Sequence, residues 1–134
     1  MLLGIDYGTA KIGLAISEDS KDALPLALSI LRYKNLVDLK DQLTSVLNDY
    51  VVDAFIVGTL LEQQAGDQTK RKSFENFETM LTEFSIPIKH VDEKYSTQAA
   101  KSLGKDDPNF KTKHDDALAA QVILETYLAN HGRD

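Results

Sequence analysis

The sequence predicts an α/β fold: a five-stranded mixed sheet, three antiparallel strands then alternating helices and strands, with helices on both faces. Three observations predict it. Short apolar, β-compatible runs crowd the first 33 residues, and helical periodicity then alternates with further apolar runs. No internal repeat, low-complexity tract or linker interrupts the chain, so residues 1–134 read as a single domain.

Residues 2–7 and 12–17 (IGLAIS) are apolar runs joined by a short Gly-containing connection, as in a tight antiparallel hairpin. A third run, ALPLALSILRY, carries Pro25, which suits the start or edge of a strand. From Asn35 to Tyr50, Leu36, Leu39, Leu43, Val46, Leu47 and Tyr50 repeat at three- and four-residue steps, giving an amphipathic helix with Asn35 as cap. AFIVG, residues 54–58, is a continuous apolar run of the kind found in a strand buried on both faces. After the polar TLLEQQAGDQ, a second helix places Phe74, Phe77, Leu81 and Phe84 on one face. IPIKHVDE is the fifth strand, residues 96–104 are helical with Ser96 as cap, GKDDPN is a turn, and DDALAAQVILETYL is the final helix.

The chain has 134 residues, a formal charge of −6 and no cysteine. That excludes disulfides, thiolate metal sites and cysteine nucleophiles, and it suits a cytoplasmic protein. No long apolar stretch or basic leader is present, so no membrane partner is expected. The acidic balance argues against coating nucleic acid through net charge alone. The cations are unevenly spread, however, with Lys70, Arg71 and Lys72 consecutive and six lysines between Lys89 and Lys113. These are either solvated faces or a local phosphate-binding rim.

Asp6 stands between Gly4 and Gly8, where the first apolar run ends. A carboxylate there is either a satisfied turn residue or part of a site, because a buried, unpaired charge costs several kcal/mol. Ligands of open α/β sheets gather outside the carboxyl ends of strands, and Glu93 closes the fifth run in the same way. Asp116 falls in the first turn of the last helix, on the face that continues through Ala119, Ala120, Ile123 and Tyr127. Three converging carboxylates would repel one another unless divalent cations met them. All-oxygen ligands suit Mg²⁺ or Mn²⁺. Two such ions about 4 Å apart activate a water and stabilise a leaving oxygen in phosphodiester hydrolysis.

GIDYGTAKIGLAISE (4–18), ALPLALSILR (23–32), FIVG (55–58), VDEKYST (91–97) and HDDALAAQVILETYL (114–128) together resemble the successive motifs of the YqgF family. Members of that family are assigned to pre-16S rRNA processing and were formerly assigned to Holliday junction resolution. The resemblance implies a ribonuclease H-like fold and an endonuclease using Mg²⁺ or Mn²⁺, two ions together, with Asp6, Glu93 and Asp116 as catalytic residues and metal ligands. It also implies Lys11 as a phosphate contact, and Gly8 and Gly13 as glycines that keep the hairpin tight and leave room beside Asp6. Lys94, Lys70, Arg71 and Lys72 complete the expected substrate-binding set. Two positions depart from the family pattern: Gly58-Thr59-Leu60 lacks the usual proline, and Lys94 replaces an arginine, keeping the charge without the bidentate fork.

Structured RNA is the expected partner ahead of branched DNA, with the chain a monomer or a homodimer. Two other classes compete. Asp6-Tyr7-Gly8-Thr9 also resembles the first phosphate loop of actin-like ATPases and sugar kinases, which close two such domains around a nucleotide. A non-catalytic RNA-binding assembly factor would keep the fold without turnover. Tyr7, Tyr33 and Tyr95 are the rings available for base stacking, or are half-buried packing residues. His90, His114 and His131 lack the spacing of a zinc site, and His114 reads as a helix-start residue.

Overall fold

The computed structural model describes residues 1–20, 22–59, 68–92 and 115–131. Five strands, β1 (Leu2–Asp6), β2 (Lys11–Ser17), β3 (Leu26–Arg32), β4 (Ala54–Thr59) and β5 (Ile88–Asp92), form one sheet in the order β3-β2-β1-β4-β5. β2 pairs antiparallel with both β1 and β3, whereas β1–β4 and β4–β5 are parallel. The predicted mixed sheet is therefore present. β1 lies at its centre, and β3, preceded by Pro25, lies at an edge, where a residue without an N–H is tolerated.

Alternation along the strands sorts the core into two layers. Leu3, Ile5, Ile12, Leu14, Ile16, Phe55 and Val57 pack with helix α1 (Leu36–Asp49) through Leu39 and Leu43, and with helix α2 (Gln68–Thr82) through Phe74, Phe77, Met80 and Leu81. Leu2, Ala15, Ala54, Ile56 and Val91 face the other way, against Ala120, Ile123, Leu124, Tyr127 and Leu128 of helix α3 (Asp115–His131).

Asn35 caps α1 as its position in the sequence predicts, its side-chain oxygen accepting from the Asp38 amide at 2.8 Å. The Asp38 carboxylate in turn accepts from the Lys34 amide, one residue before the cap, at 3.0 Å, a second bond that ties down the helix start. Phe84 departs from expectation. It lies past the end of α2, in a turn closed by the Ser85 amide on the Thr82 carbonyl at 3.1 Å, and it packs edge-on to Phe55. The helix over 96–104 and the turn after it lie outside the described residues.

Gly4 explains how α3 lies on the sheet. A Cβ built on it would meet Leu124 Cγ at 2.7 Å and the Ala120 carbonyl oxygen at 2.8 Å, so the helix backbone occupies the space of a side chain. The other layer is filled by large groups, Phe55 and Phe77 being wholly buried there.

Candidate functional site

β3 and β1 run parallel to β4 and β5, and β2 runs against them, so β1, β3, β4 and β5 all end at the sheet edge where β2 begins. That edge carries Asp6, Arg32, Thr59 and Asp92 as last strand residues and Lys11 as a first. Leu3 and Ile5 face α1 and α2, so Asp6 projects on the α3 side with Leu2.

Asp6 is half-buried and flanked by glycine on both sides. Gly13 is its register partner on β2. On β4, Ile5 aligns with Val57, which puts Gly58 beside Asp6. The two neighbouring strands therefore place glycine, with no side chain, on either side of the Asp6 backbone. Gly13 thus has the place the sequence reading gave it. Gly8 keeps the hairpin tight, since a Cβ there would meet the Lys11 carbonyl oxygen at 2.5 Å.

Asp116 lies in the first turn of α3, one turn before Ala120, whose carbonyl rests on Gly4. Asp6 is two residues beyond Gly4 on the same face. The Asp6 and Asp116 backbones are thus each about 6 Å from one shared contact. Glu93 follows Asp92 in the chain and lies outside the described residues, as does Lys94. Among the described residues no three acidic or histidine side chains form a metal-binding group. Asp6 is the one predicted ligand whose side chain is described.

The predicted cations divide between the layers. Lys11, half-buried, shares the α3 side with Asp6, because Ile12 packs in the other layer. Lys70, Arg71 and Lys72 lie near the start of α2, over the opposite face. They are nevertheless at the same edge: Phe74 packs against Tyr7, the residue after Asp6, with ring centroids 5.4 Å apart. No acid occupies the first turn of α2, so basic side chains add to the positive end of the helix dipole. Arg71 pairs with Glu75 at 3.4 Å, both side chains exposed, a pair worth little to stability.

Tyr7 and Tyr33 are half-buried packing residues, so the stacking role considered for exposed rings does not apply to them. Burial pushes the Tyr7 hydroxyl up, against hydrogen bonding to Tyr33 and Ser73. Burial, and then the neighbouring Tyr7, hold the Tyr33 hydroxyl well above the usual tyrosine range. Tyr33 clamps the β1–β2 turn twice, its hydroxyl donating to the Gly8 carbonyl and its amide to the Ala10 carbonyl, the latter at 3.1 Å.

Sequence reasoning missed Arg32. It pairs in register with Lys11, two cations directly opposite on adjacent strands.

The family model of RuvX, described as Holliday junction resolvase, matches residues 1–130. The chain belongs to this family. RuvX is the family whose motifs the sequence resembles under the name YqgF. Among RuvX relatives, a protein of Pseudomonas paraeruginosa named "Putative pre-16S rRNA nuclease" is 31% identical over 136 residues, 98% of this chain and 93% of the relative. A protein of the same name from Mycoplasma mobile is 32% identical over 134 residues, 96% of this chain and 92% of the relative. The fold matches a solved structure of T. thermophilus RuvC in complex with a Holliday junction substrate, with TM-score 0.71 and 15% identity over 98% of this chain and 96% of the other. A fowlpox virus resolvase bound to Holliday junction DNA matches with TM-score 0.60 and 14% identity over 96% of this chain and 97% of the other. The RuvX chain thus has the ribonuclease H-like fold that its motifs imply. Among the described residues no helix is long and apolar enough to cross a membrane.

Proposed function

We propose that this chain is a single-domain, cytoplasmic, divalent-metal-dependent endonuclease that cleaves pre-16S ribosomal RNA during ribosome maturation. The observation that carries the reading is Asp6, a half-buried carboxylate at the sheet edge where the parallel strands end, between Gly13 and Gly58 and beneath the helix that starts with Asp115-Asp116. The names of the RuvX relatives supply the substrate.

Asp6, Glu93 and Asp116 would hold Mg²⁺ or Mn²⁺, two ions on this reading, since carboxylate oxygens suit hard, hydrated cations. When bound, these ions supply charge neutralisation at the scissile phosphate and acidify water near it. The chain's own contribution is to fix Asp6 on a central strand and to set positive charge around the substrate backbone. Lys11 acts on the α3 side, Lys70, Arg71 and Lys72 from the start of α2, and Lys94 beside Glu93. Lys94 holds a phosphate as a point charge where relatives use a fork, so Lys94→Arg should raise activity.

A second reading, cleavage of branched DNA, is favoured by the fold shared with resolvases that bind Holliday junctions. It requires a homodimer, because a junction is cut on two strands. The test is cleavage of end-labelled pre-16S RNA and of a four-way DNA junction, with Mg²⁺, Mn²⁺ or chelator, beside Asp6→Asn. Metal-dependent RNA cleavage that Asp6→Asn abolishes is expected. Cleavage of the junction alone would select the second reading. Equal inactivity of both proteins with equal RNA binding would replace the enzyme with an assembly factor.

A further inference from the structure

Three hydroxyl groups meet beyond the end of β1. The Tyr33 hydroxyl donates to the Gly8 carbonyl, and it has only one proton, so towards Tyr7 it accepts. Tyr7 therefore gives its own proton to Tyr33, and Ser73, its other hydrogen-bond partner, donates to Tyr7. The chain runs in one direction, from Ser73 through Tyr7 and Tyr33 to the Gly8 carbonyl. It joins three elements, because Ser73 lies in α2, Tyr7 follows the last residue of β1 and Tyr33 follows the last residue of β3.

Packing does not require these hydroxyls. The Tyr7 ring rests on Phe74 and Phe77, with centroids 5.4 and 4.7 Å away, and a phenylalanine would keep both contacts. Burying a hydroxyl is unfavourable unless it is hydrogen-bonded, and a satisfied network rigidifies what it joins. What this network joins is the candidate site. At one end is the turn after Asp6, held by Tyr33 at the Gly8 carbonyl through its hydroxyl and at the Ala10 carbonyl through its amide. At the other end Ser73 follows Lys72, an exposed cation. Tyr7 packs on the α2 side while Asp6, the residue before it, projects on the α3 side, so fixing Tyr7 fixes the backbone that carries the carboxylate.

We infer that Tyr33, Tyr7 and Ser73 are positioning residues, whose hydroxyl chain locks the Asp6 end of β1 to the basic start of α2, so that carboxylate and cations meet one nucleic-acid strand in a fixed geometry. The inference rests on the reading of that edge as a nuclease site. Loss of a hydroxyl then acts on the chemical step more than on binding. Attraction between a lysine and a phosphate falls off gradually with distance, whereas a misplacement of about 1 Å at the reacting centre costs a large factor in rate.

The test compares wild type with Tyr33→Phe, Ser73→Ala and Ser73→Thr, each well below its melting temperature. Steady-state cleavage is followed in Mg²⁺ on a pre-16S RNA segment and on a four-way DNA junction. On whichever probe wild type cuts, Tyr33→Phe and Ser73→Ala are expected to lower kcat about fivefold with KM held within about twofold. Ser73→Thr keeps the hydroxyl and should recover kcat. Amide hydrogen exchange reads the coupling without substrate or metal. Ser73→Ala should speed exchange of the Tyr33 amide, which is bonded to Ala10 and not to Ser73, several-fold. The Phe55 amide, bonded to the Pro87 carbonyl at 2.8 Å, should exchange as in wild type.

An unchanged kcat in either Tyr33→Phe or Ser73→Ala, beside an active wild type, overturns the inference and leaves the nuclease reading standing. A rise in KM alone does the same, since it marks a direct substrate contact. Faster exchange at Tyr33 and Phe55 alike, or at neither, also overturns it, because the hydroxyls then serve overall stability or are not coupled. A wild type that cuts neither probe overturns the nuclease reading, and the positioning role with it.

Discussion

The two faces of the sheet are built on opposite plans. The face under α1 and α2 is filled with large side chains, Phe55, Phe74, Phe77, Met80 and Leu81 among them, and carries most of the apolar bulk. The face under α3 is lined by Gly4, Ala15 and Ala54, so the helix backbone comes down onto the strands. At the edge the contrast continues, with Tyr7 and Tyr33 on the bulky side and Asp6, Lys11 and Arg32 on the other. The bulky face supplies stability, and the close face supplies geometry. A helix seated on backbone cannot slide by repacking side chains, which suits the role proposed for α3, the helix that carries Asp116.

Substitutions on the two faces should therefore fail differently. Phe77→Ala, at a wholly buried position, should cost about 3–5 kcal/mol in denaturant unfolding, while the fraction that stays folded keeps its turnover number. Gly4→Ala should cost less, about 1–3 kcal/mol, because α3 can lift to admit a methyl group. Its turnover should nevertheless fall at least about tenfold, since lifting α3 moves Asp116 relative to Asp6. Equal loss of turnover per folded molecule in the two variants would erase the distinction.

A smaller effect belongs to Tyr33. Its hydroxyl keeps its proton in the folded chain at a pH where the unfolded chain has begun to lose it. That contribution is complete below the ordinary tyrosine value of about 10 and is lost as pH rises from there towards the folded value. Thermal unfolding measured across the alkaline range should show stability declining above about pH 10, and less steeply in Tyr33→Phe.

Much of the fold was legible because each element carries its own period. The run ending at Asp6, the helix from Asn35 and the apolar 54–58 run announce themselves without reference to neighbours. What period cannot carry is register. Pairing of β2 with β3 slips by one residue between Leu14 and Ala15, so counting back from either strand misaligns its two halves. Lys11 and Arg32 therefore looked like unrelated cations, although a basic residue opening one run and another closing the next was a usable signal. Gly4 was similarly opaque: a glycine in a buried strand says that something comes close, and only the packing shows that α3 does. Asp6 could be singled out because an acid ending a buried run needs a reason, and the glycines beside it on β2 and β4 give one. Glu93, outside the described residues, rests on its motif and on its place at the end of the fifth apolar run, and Asp116 on its motif and its place in α3.

The central claim is that Asp6 holds a divalent cation on the close-packed face. Thermal melting of wild type and Asp6→Asn, with Mn²⁺ and with chelator, tests it without substrate. A ligand that binds only the folded state raises its stability by mass action. The account predicts that Mn²⁺ raises the melting temperature of wild type above its value in chelator and leaves Asp6→Asn unmoved between the two conditions. An equal rise in both proteins would contradict it.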